Sequence, residues 1–146
     1  MKVLIGSDHA GFQLKEDIKE YLMLLGHDVE DYGVFSEEPF DYPDVALRLA
    51  EDVAKRKGSR GILICGTGVG MSIAANKVRG IRAALCHDVF SARASRAHNN
   101  ANILAMGERV IGKGLAREIV KVWLETDFQG ERHARRLEKI EVYEGQ

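Results

Sequence analysis

The sequence predicts an α/β protein of the Rossmann-like class, with a doubly wound parallel sheet of about five strands and helices on both faces. Three observations support this. Short apolar runs alternate with helical patterns along the chain, 146 residues suit one domain with one sizeable core, and no linker, repeat or low-complexity segment divides the sequence. Strands that alternate with helices are joined by right-handed crossovers, which makes the sheet parallel. We therefore expect a single domain over residues 1–146.

The predicted elements follow one another in regular order. Strands are expected at residues 2–6, 28–33, 60–65, 81–86 and 102–107. Helices are expected at residues 11–26, 43–58, 115–126 and 131–144. In the first, Leu14, Ile18, Leu22 and Leu25 recur on one side. The second begins with Pro43 and ends at Gly58, and the last is heavily charged. Residues 34–42 are expected to form a loop.

The composition excludes several classes of function. Apolar residues make up 45% and charged residues 29%, and the net charge of -1 gives no global basic field for nucleic acid or an anionic membrane. We find no signal-peptide pattern and no apolar stretch that could span a bilayer, which favours a cytoplasmic location. Cys65 and Cys86 lack a C-x-x-C spacing, and no His/carboxylate cluster has the spacing of metal ligands, so no metal is expected.

Doubly wound sheets bind their ligands beyond the carboxyl ends of the strands. The residues that follow predicted strands are therefore the first candidates for a site. They are Ser7–Gly11, Cys65–Gly70, His87–Asp88 and Gly107–Arg109.

The segment CGTGVG (65–70) follows the third predicted strand. A glycine-rich turn before a helix can direct backbone N–H groups at an anion, and the helix N-terminus adds partial positive charge. The spacing is G-x-G-x-G rather than G-x-G-x-x-G, and no G-x-x-x-x-G-K-[ST] occurs, which disfavours nucleotides. Cys65 stands where a thiol becomes more acidic, although a strand-end cysteine is more often part of the packing.

Asp8 and His9 follow the first predicted strand and are expected at the same edge of the sheet as Cys65. The alternative for Asp8 is a helix N-cap, and the alternative for His9 is a surface position in the first turn. Further along, His98 and Asn99 end a helix of small residues. His98 is a candidate acid or base near neutral pH, or else a histidine that interacts with the last helical carbonyls.

Arg132 and Arg136 are four residues apart in the charged helix at 131–144. They therefore share one helix face and could hold one phosphate between them. Taken alone, a solvated charged face is the better interpretation.

Together, the motifs resemble the type B ribose-5-phosphate isomerases, a family with relatives that act on allose 6-phosphate and galactose 6-phosphate. The resemblance covers nearly the whole chain. Its motifs are GSDHAG (6–11), DYPD (41–44), GILICGTGVGMSIAANK (61–77), GIRA (80–83), SRxHNxxN (95–102) and GxRVxG (107–112).

The resemblance implies a cofactor-free aldose–ketose isomerase, most simply for ribose 5-phosphate and ribulose 5-phosphate, with a cis-enediolate intermediate. It implies that Cys65 is the base and that His98 assists ring opening. Thr67 would lie beside the enediolate oxygens. The implied substrate contacts are Asp8 and Asn99 to the sugar, His9, Arg132 and Arg136 to the phosphate, Arg109 at the site, and the backbone N–H groups of Gly66, Gly68, Val69 and Gly70 to the enediolate.

Two further expectations follow from the resemblance. Part of the family has a glutamate where this chain has Met71, which cannot accept a proton, so the chain resembles the cysteine branch. Family members are dimers with shared sites, and some form tetramers, so the helix at 131–144 is expected to reach the partner's phosphate.

Tyr42 either lines the pocket or packs beside Pro43. The rival hypotheses are an isomerase of six-carbon sugar phosphates and a non-catalytic phosphate-binding module.

Overall fold

Five strands and six α-helices alternate along residues 1–145, the part of the chain that the computed structural model describes. The strands are β1 (Lys2–Ser7), β2 (Asp28–Asp31), β3 (Arg60–Cys65), β4 (Ala83–Leu85) and β5 (Ile103–Gly107). The α-helices are α1 (Phe12–Leu24), α2 (Tyr42–Lys55), α3 (Val69–Ala75), α4 (Val89–Ala97), α5 (Lys113–Glu125) and α6 (Arg132–Glu144). A short 3-10 turn, His9–Gly11, links β1 to α1.

The strands form one parallel sheet in the order β2-β1-β3-β5-β4. Ser7 pairs with Ile64 and Cys65 pairs with Gly107, so the three central strands end at the same edge. The predicted fold class, a doubly wound parallel sheet with helices on both faces, is confirmed.

Side-chain alternation along β3 divides the core into two layers. Ile62 and Ile64 join a buried cluster with α1 and α5, which includes Trp123, whereas Leu63 and Cys65 join a cluster with α2 and α3. Because successive side chains of a strand point to opposite faces, one continuous apolar run supplies both layers. No helix among residues 1–145 is both long and apolar enough to cross a membrane.

Two strands are shorter than predicted. The predicted strand at 81–86 is β4, Ala83–Leu85, and the predicted strand at 28–33 is β2, Asp28–Asp31. Before β4, the N–H of Arg82 donates to Asn102 Oδ1 at 2.8 Å instead of joining the sheet. Local side-chain acceptors of this kind are invisible to apolar periodicity.

The two ends of the strands form two opposite edges of the sheet, the carboxyl edge and the amino edge. The carboxyl edge holds the ends of β1, β3 and β5, and with them Asp8, Cys65 and Glu108. The amino edge holds the starts of the strands and the C-terminal end of α4, because a crossover helix runs antiparallel to the strands it connects. Helix α6 also lies along the amino edge, where Glu144 Oε1 accepts the N–H of Gly80 at 2.7 Å. In α6 only His133 and Leu137 are buried.

Candidate active site

Cys65 ends β3 and lies at the mouth of the glycine loop, with only 5% of its surface exposed. Its sulfur accepts the backbone N–H of Gly68 at 3.1 Å. Gly68 has φ +79, a left-handed conformation, and a Cβ there would lie 2.8 Å from the carbonyl carbon of Met106. The loop therefore needs glycine at this position to turn tightly beneath the sulfur. The other cysteine, Cys86, is buried, and that burial raises the pKa of its thiol, as expected for a packing residue.

Behind Cys65, the loop leads directly into α3. Thr67 is exposed, and its Oγ1 accepts the N–H of Val69 at 3.3 Å. The first helical hydrogen bond of α3 runs from Ser72 N to Gly68 O at 3.0 Å, so the N–H groups of Gly70 and Met71 precede it. First-turn N–H groups have no partner within their own helix. Among the N–H groups predicted to face an anion, those of Gly68 and Val69 thus already serve Cys65 and Thr67.

Asp8 and His9 face the same edge. Asp8 is 6% exposed, and its Oδ1 accepts the N–H groups of Ala10 and Gly11 at 2.9 and 3.1 Å, so it does cap the 3-10 turn. His9 Nδ1 accepts the N–H of Phe40 at 3.0 Å. This shorter contact favours the tautomer with the proton on Nε2, where it can be donated to a ligand, over the one in which Nδ1 donates to Phe40 O at 3.3 Å.

Arg109 and Tyr42 lie against the loop from two sides. Arg109 N donates to Gly66 O at 3.0 Å, and its guanidinium Nη1 lies 3.1 Å from where a Gly66 Cβ would be. The Tyr42 ring lies 2.6 Å from where a Gly70 Cβ would be. Tyr42, whose role the sequence leaves open, therefore contacts the loop and borders the site.

Two residues beside the loop hold this edge in shape. Glu108 Oε1 accepts the N–H of Leu14 in the first turn of α1 at 2.6 Å, which ties the end of β5 to that helix. His87 Nε2 accepts the N–H of Gly107 at 3.0 Å, and burial lowers the pKa of His87. His87 is therefore a neutral structural acceptor rather than a charged ligand group.

A second group of predicted site residues lies at the amino edge. His98 and Asn99 are exposed at the end of α4, and Arg132 and Arg136 are exposed on α6. The His98 ring stacks on the ring of His133, with 4.4 Å between centroids and 12° between planes. His133 is 6% exposed, and its Nε2 has no hydrogen-bond partner within residues 1–145. Burial lowers the pKa of His133, and the nearby charges of Arg132, His98 and Arg136 lower it further.

One chain does not bring these two groups together. Cys65 pairs with Gly107 at the end of β5, whereas His98 precedes the start of β5 at Ile103. Four strand steps of about 3.3 Å place the two edges on the order of 13 Å apart. Cys65, Thr67, Asp8, His9 and Arg109 form one half of the predicted set, and His98, Asn99, Arg132 and Arg136 form the other.

Sequence reasoning overlooked His133 and Glu108. His133 and Leu137 are four residues apart and are the two buried residues of α6, so an inward-facing pair was readable within the charged helix. Nothing local distinguishes Glu108, because its partner lies 94 residues away. Within residues 1–145, no group of three or more His, Cys, Asp or Glu side chains is arranged to hold a metal ion.

Comparison with known proteins gives matches along nearly the entire chain. A family model described as Ribose/Galactose Isomerase matches residues 3–140. The D-erythrulose-4-phosphate isomerase of Pectobacterium atrosepticum is 49% identical over 148 residues, covering 100% of this chain and 97% of the relative. The ribose-5-phosphate isomerase B of Clostridium thermocellum is 54% identical, with a TM-score of 0.97 and coverage of 99% of this chain and 98% of that one.

A further solved structure contains a ligand. The ribose-5-phosphate isomerase B of Mycoplasma genitalium, solved with bound ribulose-5-phosphate, is 41% identical, with a TM-score of 0.96 and coverage of 99% of this chain and 97% of that one. These identities and coverages support the resemblance seen in the motifs. The chain belongs to the ribose/galactose isomerase family and is an isomerase.

Proposed function

We propose that this protein interconverts D-ribose 5-phosphate and D-ribulose 5-phosphate, without a cofactor, through a cis-enediolate. The observation that carries the proposal is the position of Cys65, whose sulfur accepts the N–H of Gly68 at 3.1 Å at the mouth of the loop that leads into α3. A base beside converging N–H donors suits the removal of a proton next to a carbonyl, because negative charge then develops on oxygen. The similarity to ribose-5-phosphate isomerases B supports the choice of substrate.

Cys65 acts as the base on the open-chain sugar. Its thiolate takes the proton from C2 of the aldose, the C–H electron pair forms the C1=C2 bond, and the carbonyl oxygen becomes the enediolate oxygen. Backbone N–H groups at the start of α3 and the hydroxyl of Thr67 stabilise that oxygen, and Thr67 helps move a proton between the two oxygens. Cys65 then returns a proton to C1, which gives the ketose.

Ring opening needs an acid on the far side of the sugar. His98 protonates the ring oxygen as the bond from C1 to that oxygen breaks, and the C1 hydroxyl releases its proton to solvent as C1 becomes a carbonyl. Asp8 binds a sugar hydroxyl on the opposite side through Oδ2, since Oδ1 already caps the 3-10 turn. Asn99 contacts the open-chain sugar.

The phosphate is held by donors from both groups. His9 offers Nε2–H, because its Nδ1 accepts the N–H of Phe40. Arg132 and Arg136 are one turn apart on α6 and supply guanidinium forks that match phosphate oxygens. Arg109 lies against the glycine loop, beside the sugar.

The site as proposed requires two chains. Because Cys65 and His98 lie at opposite edges of the sheet, a homodimer must place the end of α4 and the exposed face of α6 of one chain against the carboxyl edge of the other. In a twofold dimer this builds two identical sites and brings α6 (132–144) to the partner's phosphate. Exposed apolar side chains near the loop and α4 offer surface for such a contact: Val69, Ile73, Leu85 and Phe90. Each chain contributes one domain, and a tetramer would pair two dimers.

Solvent hydrogen exchange tests this function directly. With ribose 5-phosphate in D2O, the enediolate route predicts that ribulose 5-phosphate forms and carries solvent deuterium at C1. If no ketose forms, the protein does not isomerise ribose 5-phosphate. If ketose forms without solvent deuterium, the result points to a hydride shift.

A four-carbon substrate is the second candidate. It is favoured by the 49% identity to a D-erythrulose-4-phosphate isomerase. Losing or adding one carbon changes the distance from the phosphate to the reacting carbons, so the spacing of the phosphate donors from Cys65 decides the preference. Comparison of kcat/KM for ribose 5-phosphate, D-erythrulose 4-phosphate, allose 6-phosphate and galactose 6-phosphate ranks the candidates. The proposal expects the highest value for ribose 5-phosphate.

A further inference from the structure

A cleft of about 550 Å³ opens at the amino edge of the sheet, between the end of α2, the start of β3 and the turn before β5. Its lining residues do not include His98, Asn99, Arg132 or Arg136. The cleft therefore adjoins the amino-edge group without including it, since Arg96 and Asn100 flank His98 and Asn99 in the chain. Its volume lies within the range of cavities that bind small molecules.

The charge of this cleft is one-sided. Its walls carry six basic residues and no acidic one, although the chain has 21 basic and 22 acidic residues in all. The six are Lys55, Arg56, Lys57, Arg60, Arg82 and Arg96. Of these, Arg56 forms ion pairs, with Glu30 and Asp52, and the other five have no ion pair within 4 Å among residues 1–145.

Three arginines at the centre are fixed in place. Arg60 Nη1 donates to the carbonyl of Leu124 at 3.0 Å, Arg82 Nε to that of Asn100 at 2.8 Å, and Arg96 Nη1 to that of Ala101 at 2.7 Å. Their Nη2 groups have no partner within the described part of the chain. A guanidinium already held by backbone carbonyls loses little entropy when it binds a ligand.

Positive charge is crowded here. Burial, together with the charges of Arg60 and Arg82, lowers the pKa of Arg96 to about 10. Burial lowers the pKa of Arg60 and of Arg82 as well. Asp127 and the α6 carboxylates Glu141 and Glu144 are the acidic groups close enough to act on these arginines. An anion bound between the guanidinium groups would relieve the repulsion.

We propose that this cleft is a second anion site, which binds a small phosphate ester carrying two or more phosphoryl groups. One phosphoryl group meets the forks of Arg60, Arg82 and Arg96, and the next reaches Lys55 and Lys57 at the rim. Asn102 borders them, and its amide is held by the N–H of Arg82 and the carbonyl of Gly80. Several charges on one ligand suit a cleft lined by six cations better than a single phosphate does.

Calorimetric titration with inorganic pyrophosphate at low salt tests the site. The wild-type protein binds, and Lys55→Gln/Lys57→Gln weakens binding about threefold or more, because both side chains are exposed and lie at the rim. Arg82→Gln weakens it about tenfold or more. The control Lys113→Gln/Lys121→Gln removes the same charge elsewhere on exposed positions and leaves the affinity within about twofold.

The variant Arg132→Ala/Arg136→Ala distinguishes pyrophosphate binding in this cleft from binding at the proposed catalytic phosphate site. That variant keeps pyrophosphate binding if the cleft is the site, whether or not the protein isomerises ribose 5-phosphate. The proposal is overturned if the wild-type protein shows no binding, if the control pair weakens binding as much as the rim pair, or if only Arg132→Ala/Arg136→Ala abolishes it. The rim pair removes no buried group, so its result does not depend on the folding of Arg82→Gln.

Discussion

The imidazole rings of His98 and His133 stack face to face at the amino edge, with centroids 4.4 Å apart and planes 12° from parallel. His98 is the exposed C-cap residue of α4, whereas His133 is buried in α6. Burial lowers the pKa of His133, which favours the neutral form of this ring near pH 7. The stack therefore fixes the orientation of the proposed ring-opening acid and connects it to the helix that carries Arg132 and Arg136.

Removing the His133 ring is expected to slow ring opening without affecting the base. Since stacked aromatic pairs contribute about 0.5–1.5 kcal/mol, His133→Ala should lower kcat for ribose 5-phosphate about 3- to 10-fold. Exchange of the C1 proton of ribulose 5-phosphate with D2O needs no ring opening and should continue at the wild-type rate. His133→Phe keeps the stack and should retain most of the activity. Equal losses in both assays would indicate a general structural defect instead.

Cys65 is expected to be essential for both reactions. Cys65→Ala should reduce isomerisation about 10²- to 10⁴-fold, the usual contribution of a general base, and should abolish C1 proton exchange as well. Cys86→Ala is the matched control, because Cys86 is also a buried free thiol at a strand end. It should leave kcat within a few-fold. Substantial exchange in Cys65→Ala would show that another group is the base.

The phosphate donors of α6 should act on binding. In the proposed site, Arg132→Ala and Arg136→Ala would each remove a charge-assisted hydrogen bond to the substrate phosphate of about 1.5–3 kcal/mol in the ground state, so KM should rise about 10-fold or more while kcat changes little. Arg135→Ala removes an exposed arginine from the same helix and is the control. If KM is unchanged in both variants but rises in Arg135→Ala, the phosphate contacts are misassigned.

A buried ion pair should govern stability in acid. Lys15 is fully buried and donates to both oxygens of Asp31 at 2.9 and 2.8 Å. Burial alone would raise the pKa of Asp31, but hydrogen bonds from Lys15, Gly33 N and Lys19 outweigh it and lower that pKa below its ordinary value. A lowered carboxyl pKa stabilises the fold above the unfolded value of about 3.9, and this stabilisation is lost as the pH falls through the folded value.

Asp31→Asn should therefore destabilise the protein at pH 7 by about 3 kcal/mol or more, because buried Lys15 then keeps only the Glu16 carboxylate at 3.9 Å as a counterion. It should also flatten the loss of stability below pH 4. Urea unfolding at several pH values measures both effects. Asp28→Asn, at an exposed position of the same strand, is the control. An Asp31→Asn variant with unchanged acid sensitivity would exclude this pair as its cause.

The alternation of short apolar runs with helical patterns was enough to predict the fold. The reason is that β1, β3 and β5 are buried on both faces, as the central strands of a parallel sheet are. The loop at Cys65 was equally readable from its glycines. Helix direction also contains information about the site: a helix that precedes β5 must end at the amino edge, which separates His98 from Cys65 within one chain. Contacts such as Glu108 with Leu14 depend on tertiary neighbours and have no local signal.

In the proposed enzyme, Cys65 and His98 act in one site built from two chains. Mixing Cys65→Ala with His98→Asn, after unfolding and refolding together, tests it. Both proteins should be nearly inactive alone, but a heterodimer would carry both substitutions in one site and leave the other site intact. Random mixing should therefore restore about a quarter of the wild-type isomerase activity. Refolded heterodimers with no recovered activity would contradict the shared site.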